Sequence, residues 1–344
     1  RNEIMKIAML YSKDCNALIM NYPNEESISI QGKMHEGKTS TLLGLKGIPS
    51  LAEEIMVDRD ISLCEYTDSR FHLSYISTKK SAEKVKKAKA KGLKISADVA
   101  LHNLFLTDES VNNFDTRYKV MPPLRTTKDN KALIKALKDG TIDIITTDHS
   151  PQEEELKKIE FDNAANGIIG LESAFGLLGK HLLPHLELSQ LIEKIAINPR
   201  KILGLEQVTL KEGNTANITL FNPNLEWEFT EEDIKSKSSN TPFVGEKLRG
   251  KALAIFNNGK FKLGKSQINF VPAGYDQDNV LNTLNYDSYY QYFDIEGNIS
   301  FDFNFTVSGE NTTSPKMLII PSSGYLKFTQ AQRECLNSQN HLTQ

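Results

Sequence analysis

The sequence predicts an α/β protein built on a parallel sheet, followed by a small β module and a β-rich tail. Three observations carry this. Residues 1–203 alternate short apolar, β-branched runs with helix-period segments, as consecutive strand–helix units do. Residues 204–265 change to short strands separated by turns. From 266 to 344 the composition shifts again, to a segment rich in Asn, Tyr and Ser with eight acidic residues against three basic ones.

Four runs read as strands: 16–22, 70–76, 94–100 and 142–147. Between the second and third, the spacing predicts a helix over 79–91, with Ala82, Val85 and Ala88 on one face and Gly92 just past its end. Its lysines fill the other face, which reads as an outer, solvated surface rather than a phosphate site. A second helix over 128–138 turns Ala132, Leu133, Ala136 and Leu137 inward and stops at Gly140. In the β module, strands are expected over 216–221 and 252–257, the latter followed by Asn258-Gly259, a strong hairpin signal. The tail carries one strand-like alternation over 298–308, through Ile299, Phe301, Phe303 and Phe305. Asn298, Asn304 and Asn311 match the glycosylation acceptor pattern, which a cytosolic chain reaches by chance.

Bulk properties narrow the function classes. The net charge of −3, from 41 basic and 44 acidic residues, gives no field to recruit nucleic acid or an anionic membrane. No run approaches the ~18 apolar residues of a membrane span. Cys15, Cys64 and Cys335 form neither a CxxC pair nor an even disulfide framework, so a reducing compartment, the cytoplasm, is expected. The chain begins at Arg1 rather than Met, which reads as a fragment or a processed chain.

The most informative segment is Ile142-Asp-Ile-Ile-Thr-Thr-Asp148-His149-Ser150-Pro151, an apolar strand that ends on a carboxylate. A carboxylate at a strand's C-terminal end can bind metal or act as a base. It can also be mere architecture, because Ser150, Pro151 and Glu153 have the spacing of a helix N-cap, first turn and capping box.

Neighbouring motifs make the segment specific. Lys119-Val-Met-Pro-Pro-Leu-Arg125, Leu137-Lys-Asp-Gly-Thr-Ile-Asp143, Thr147-Asp-His-Ser-Pro151, Gly170-Leu-Glu172 and Asn198-Pro-Arg200 follow one another in the order seen in dihydroorotases. So do Gly47-Ile-Pro, Ala52-Glu53, Arg59-Asp60 and Ile76-Ser-Thr78 upstream, and Ser236-Lys-Ser-Ser-Asn-Thr-Pro-Phe243 with Gly245 downstream. Roughly residues 3–265 therefore resemble the C-terminal part of a dihydroorotase.

The resemblance implies the C-terminal half of an amidohydrolase (β/α)8 TIM-type barrel, strands five to eight, with a small β-sandwich module. It also implies the cyclisation of carbamoyl aspartate to dihydroorotate in pyrimidine synthesis at a zinc centre. The family's first-strand His pair would lie upstream of Arg1. The strand-five and strand-six His positions fall on Tyr22 and Tyr75, and phenols, neutral below about pH 10, are poor zinc ligands. Only Asp148 remains among the ligand positions, so zinc is implied by the family and not expected on this chain. The substrate-binding positions fall on Met121 and Gln152, in place of the family's Asn and His.

His72 is excluded as a substitute ligand, since strand alternation would put it opposite Tyr75. His102 reads as a loop-packing residue, Glu172 as a loop support, and His35, His181 and His185 as surface or helix-end residues. The leading expectation is a non-catalytic dihydroorotase homologue that partners aspartate carbamoyltransferase or forms a homo-oligomer. The alternative is a working zinc dihydroorotase, or a related cyclic amidase, with a reorganised site. A third reading makes the tail an unrelated binding domain. The half barrel alone is expected to fold poorly, with unpaired edges.

Overall fold

The structure, a computed structural model, describes residues 2–209, 217–257 and 260–263. The chain divides into two compact units, Arg1–Glu206 with Glu228–Lys247, and Gln207–Trp227 with Leu248–Gln344.

The first unit holds six strands: β1 (Leu18–Asn21), β2 (Met34–His35), β3 (Gly47–Ile48), β4 (Arg70–Leu73), β5 (Ile95–Ala100) and β6 (Ile144–Thr146). Four of them form one sheet in the order β1-β4-β5-β6. All pairs are parallel, with Leu18 opposite Arg70, Phe71 opposite Ile95 and Asp98 opposite Ile144. These are the four strands expected from the sequence, each shorter than its apolar run. β5 is buried at five of its six positions, as a parallel strand covered on both faces must be. β2 and β3 form a separate parallel pair in which Gly47 is required, since a Cβ there would lie 2.5 Å from the Glu36 Cα.

Among the described residues ten α-helices accompany the strands: α1 (Asn2–Asp14), α2 (Glu26–Ser29), α3 (Lys38–Leu43), α4 (Ser50–Thr67), α5 (Lys79–Ala90), α6 (Thr127–Lys138), α7 (Glu154–Lys157), α8 (Ala174–His181), α9 (Leu188–Ile192) and α10 (Asn198–Ile202). α4, α5 and α6 pack side by side. α5 buries Ala82, Val85 and Ala88, and Thr78 caps it by accepting from the Ser81 N–H. Its lysine face is not simply solvated. Lys84 pairs with Asp58 and Lys91 with Glu65 on α4, while Lys86 pairs with Asp139 and Lys89 with Asp143 beyond α6. α6 begins with a capping box in which the Thr126 hydroxyl donates to Asp129 at 2.6 Å. It buries Leu133, Ala136 and Leu137, and Ala132 is only half-buried.

The helix expected to start at Ser150 does not start there. Asp148 adopts a left-handed conformation with φ 46°, and His149 then pairs in parallel with Ile168. The Ser150 N–H donates to the Ile168 carbonyl, so the chain stays extended, and α7 begins at Glu154 without a side-chain cap.

In the second unit β7 (Ile218–Glu228), β8 (Lys247–Asn257) and β9 (Lys260–Leu263) make a three-stranded sheet in that order. β8 and β9 are antiparallel with Asn257 opposite Lys260, the register of the expected hairpin. The turn residues Asn258-Gly259 lie outside the described residues, as do Ala216, Cys335, the strand expected over 298–308 and all three acceptor asparagines. Trp227 Nε1 donates to the Gly250 carbonyl at 2.9 Å, and Lys251 sits 4.1 Å from the Trp227 ring centre.

Leu133 is fully buried at the α6 core face. Leu133→Ala should lower unfolding free energy by about 2–5 kcal/mol and Thr126→Ala by about 0.5–2 kcal/mol in urea melts. Equal losses from the two would mean that α6 is not held by its apolar face.

Candidate active site

Parallel strands deliver their C-terminal ends to one edge of a sheet, where the following loops collect side chains from segments far apart in sequence. Here the ends of β1, β4, β5 and β6 lead into Tyr22, Tyr75, His102 and Asp148. The four interact. The Tyr22 and Tyr75 rings meet edge to face, with centroids 6.2 Å apart and planes at 71°. The Tyr75 phenol borders the Asp148 carboxyl, and each shifts the other's ionisation. His102 Nε2 lies 3.7 Å from Asp148 Oδ2, too far for a hydrogen bond, and this buried nitrogen has no hydrogen-bond partner.

Beneath the cluster lies a hydrogen-bonded chain absent from the sequence-based reading. His72, fully buried on β4, is held by Ser96 Oγ at 2.7 Å through Nδ1 and by Asp98 Oδ2 at 2.9 Å through Nε2. The other Asp98 oxygen accepts from the Tyr75 N–H at 2.7 Å. Tyr75 itself has a left-handed backbone, φ 59°, and lies two residues beyond the end of β4. Strand alternation therefore does not relate positions 72 and 75, contrary to expectation. His72 is unavailable as a ligand for a different reason: both of its ring nitrogens are engaged.

Electrostatics follow from this packing. Burial, then the charge of Asp98, pushes the Asp148 carboxyl up to about 7, and the Tyr75 hydroxyl opposes the shift. Burial pushes His102 down to about 4, so it is neutral at pH 7. The Tyr75 phenol is raised by burial and then by Asp148 and Asp98. Tyr22 is raised by burial and by the Glu53 charge, with Arg125 opposing. Both phenols therefore stay protonated under physiological conditions.

A second buried cluster borders Tyr22. Arg125, only 2% exposed, donates from Nε to Ser77 Oγ at 3.0 Å, and from one terminal nitrogen to the Ile48 carbonyl at 3.0 Å. That nitrogen also lies 3.2 Å from His35 Nδ1. Glu53 accepts from the Ser77 and Thr78 N–H groups and lies 3.7 Å from Arg125. His35 is thus interior, not a surface residue: Arg125 fixes it, and burial and that neighbouring charge lower its pKa. His181, at the end of α8, stacks on Phe105 with ring centres 4.0 Å apart, and His185 is exposed.

Met121 is half-buried. The Gln152 side chain is committed to the Asn166 carbonyl at 2.9 Å and Ser150 Oγ at 3.3 Å. Glu172 Oε1 accepts from the Lys235 and Ser236 N–H groups at 3.1 and 2.7 Å, the loop support expected of it.

This donor set does not fit a zinc ion. Zinc takes thiolate, imidazole or carboxylate ligands, whereas two protonated phenols line this site. One of them borders its carboxylate, and a second carboxylate is tied to His72 and a backbone N–H. Among the described residues no three His, Cys, Asp or Glu side chains converge as a metal site would need.

Known structures define the class. D-hydantoinase from Bacillus sp. AR9 superposes with a TM-score of 0.68 at 20% identity, over 76% of this chain and 61% of that one. L-hydantoinase (dihydropyrimidinase) from Arthrobacter aurescens does so with a TM-score of 0.68, also at 20% identity, over 77% and 61%. The fold is that of the amidohydrolase barrels. Sequence narrows it further. Residues 2–81 match the family described as dihydro-orotase-like. The chain is 44% identical to the dihydroorotase of Acetivibrio thermocellus over 260 residues, and 43% identical to that of Thermoanaerobacter sp. over 266. The chain is similar to these dihydroorotases and spans about three-fifths of their length: 61% of the first and 62% of the second.

Because the Tyr75 hydroxyl favours the ionised form of Asp148, Tyr75→Phe should raise the Asp148 pKa further above about 7. Carboxyl carbon NMR titration reads this directly. A Tyr75→Phe value equal to or below that of the unmodified protein would contradict this role of the Tyr75 hydroxyl.

Proposed function

We propose that this chain is a non-catalytic member of the dihydroorotase family, cytoplasmic, acting as a structural partner of a pyrimidine-pathway enzyme, with aspartate carbamoyltransferase the first candidate. The observation that carries the reading is the pair of protonated phenols at the ends of β1 and β4, one of them beside Asp148. Family chemistry needs a cation that lowers the pKa of a bound water to near 7, and neutral phenols at these strand ends are poor ligands for one. Two further features support it. Met121 offers no amide to a polar substrate, and the Gln152 amide is consumed by local partners. No helix of the described residues is long and apolar enough to cross a membrane.

The test takes the full chain, with carbamoyl aspartate and dihydroorotate offered in the presence of zinc, and in parallel a mixture with aspartate carbamoyltransferase run by size exclusion with light scattering. The expected outcome is no turnover in either direction and co-elution with the transferase. Turnover dependent on zinc would replace this reading with that of a working dihydroorotase, or related cyclic amidase, with an altered metal site. Absence of both turnover and co-elution would keep the loss of catalysis and remove the named partner.

A further inference from the structure

Outside the strand-end cluster, one segment has an uncommon set of partners. Residues 161–171 form a strap, and lysines from three separate parts of the chain donate to its backbone carbonyls. Lys119 Nζ donates to the Phe161 carbonyl at 2.5 Å and the Asp162 carbonyl at 3.1 Å. Lys33, from the segment before β2, donates to the same Asp162 carbonyl at 2.6 Å. Lys157, at the end of α7, donates to the Ala165 carbonyl at 2.9 Å and the Gly167 carbonyl at 3.1 Å. Lys119 and Lys157 are 5% and 6% exposed.

Two buried ammonium groups held by carbonyls rather than by ion-paired carboxylates are costly, since the attraction of Asp162 and Asp115 only partly offsets their desolvation. Burial and the nearness of like charge push both down to about 8, so both remain largely protonated at neutral pH. An ammonium does have one property no apolar chain of similar length can supply: three donors able to engage carbonyls converging from different directions. Replaced by a thioether, Lys119 would leave the Phe161 carbonyl and Lys157 the Ala165 carbonyl without its lysine donor, while Asp162 keeps Lys33 and Gly167 keeps Asn240.

The strap is tied in turn to the Asp148 turn. The Ser150 N–H donates to the Ile168 carbonyl at 2.8 Å, and His149 Nδ1 accepts from the Gly170 and Leu171 N–H groups at 3.2 and 3.3 Å. Gly167 and Gly170 pass so close that a Cβ would lie 2.6 Å from the Ser150 carbonyl and 2.8 Å from that of Thr147. Asn240 closes the arrangement, donating to the Ser150 and Gly167 carbonyls at 3.0 and 3.1 Å. The left-handed backbone of Asp148 is thus held by a segment whose own course is set by lysines.

We propose that Lys33, Lys119 and Lys157 act as a clamp on the 161–167 carbonyls, and that this clamp, through Gly167–Leu171, positions the Asp148–Ser150 turn. The three are positioning residues, and the proposal stands whether or not the site is catalytic.

Amide hydrogen exchange on the full chain tests it, comparing Lys33→Met, Lys119→Met and Lys157→Met with Lys86→Met, whose partner is the unrelated Asp139. Loss of one or two buried hydrogen bonds implies about tenfold faster exchange at Ser150, Gly167, Ile169, Gly170 and Leu171 in Lys119→Met and Lys157→Met. Lys33→Met should show a smaller acceleration of the same amides, and Lys86→Met none. The His149 ring nitrogen shift should move in the clamp variants only. Unchanged strap exchange in all three clamp variants would overturn the proposal, and so would equal acceleration across β5 and α6. If the two buried variants do not fold, Lys33→Met, at a half-exposed site, decides on the same criteria.

Discussion

A carboxyl at the end of a buried parallel strand has to be satisfied by something. Asp148 is pressed by burial and by the neighbouring charge of Asp98, both of which disfavour its ionised form. In a metal site a divalent cation would reverse that balance. Here a phenol stands at that carboxylate, and a neutral histidine, His102, completes the surroundings. The rest of the cluster follows from that exchange. A protonated Tyr75 borders Asp148. Asp98 takes His72 and the Tyr75 backbone N–H as partners.

Much of the architecture was legible in the sequence because parallel strands and their covering helices are written in apolar periodicity. All four main strands and the α5 and α6 helices lie where the 2.0 and 3.6 repeats put them, and the β8–β9 register agrees with the hairpin dipeptide. The errors have physical causes. The Ser150 cap was plausible locally, but pairing of His149 with Ile168, nineteen residues downstream, overrides a short-range preference. Alternation was extended past Leu73 to Tyr75, where the backbone leaves the strand for the left-handed region.

The site was only half legible. Motif order brought out Tyr22, Tyr75, Asp148, Met121 and Gln152, but not that His102 sits against Asp148 or that Arg125 holds His35. Contacts of that kind join residues 46 and 90 positions apart, and nothing local in the sequence encodes them. Asp98 had a faint signal, a carboxylate inside an otherwise buried strand, since such a group needs a partner. The lysine clamp had none, because its acceptors are backbone carbonyls and any residue supplies one.

The scaffold and the site have therefore diverged in character. Caps, close-approach glycines and the Arg125–Glu53 core keep the strand ends in place, while the groups displayed there are those of a hydrogen-bonded interior. Diffraction at the zinc absorption edge, on crystals of the full chain grown with excess zinc, tests this account most directly. It predicts no anomalous peak within about 2.2 Å of an Asp148 oxygen and Tyr75 still beside that carboxyl. A well-occupied peak at that distance, with Tyr75 displaced and imidazole nitrogen completing the coordination, would contradict it.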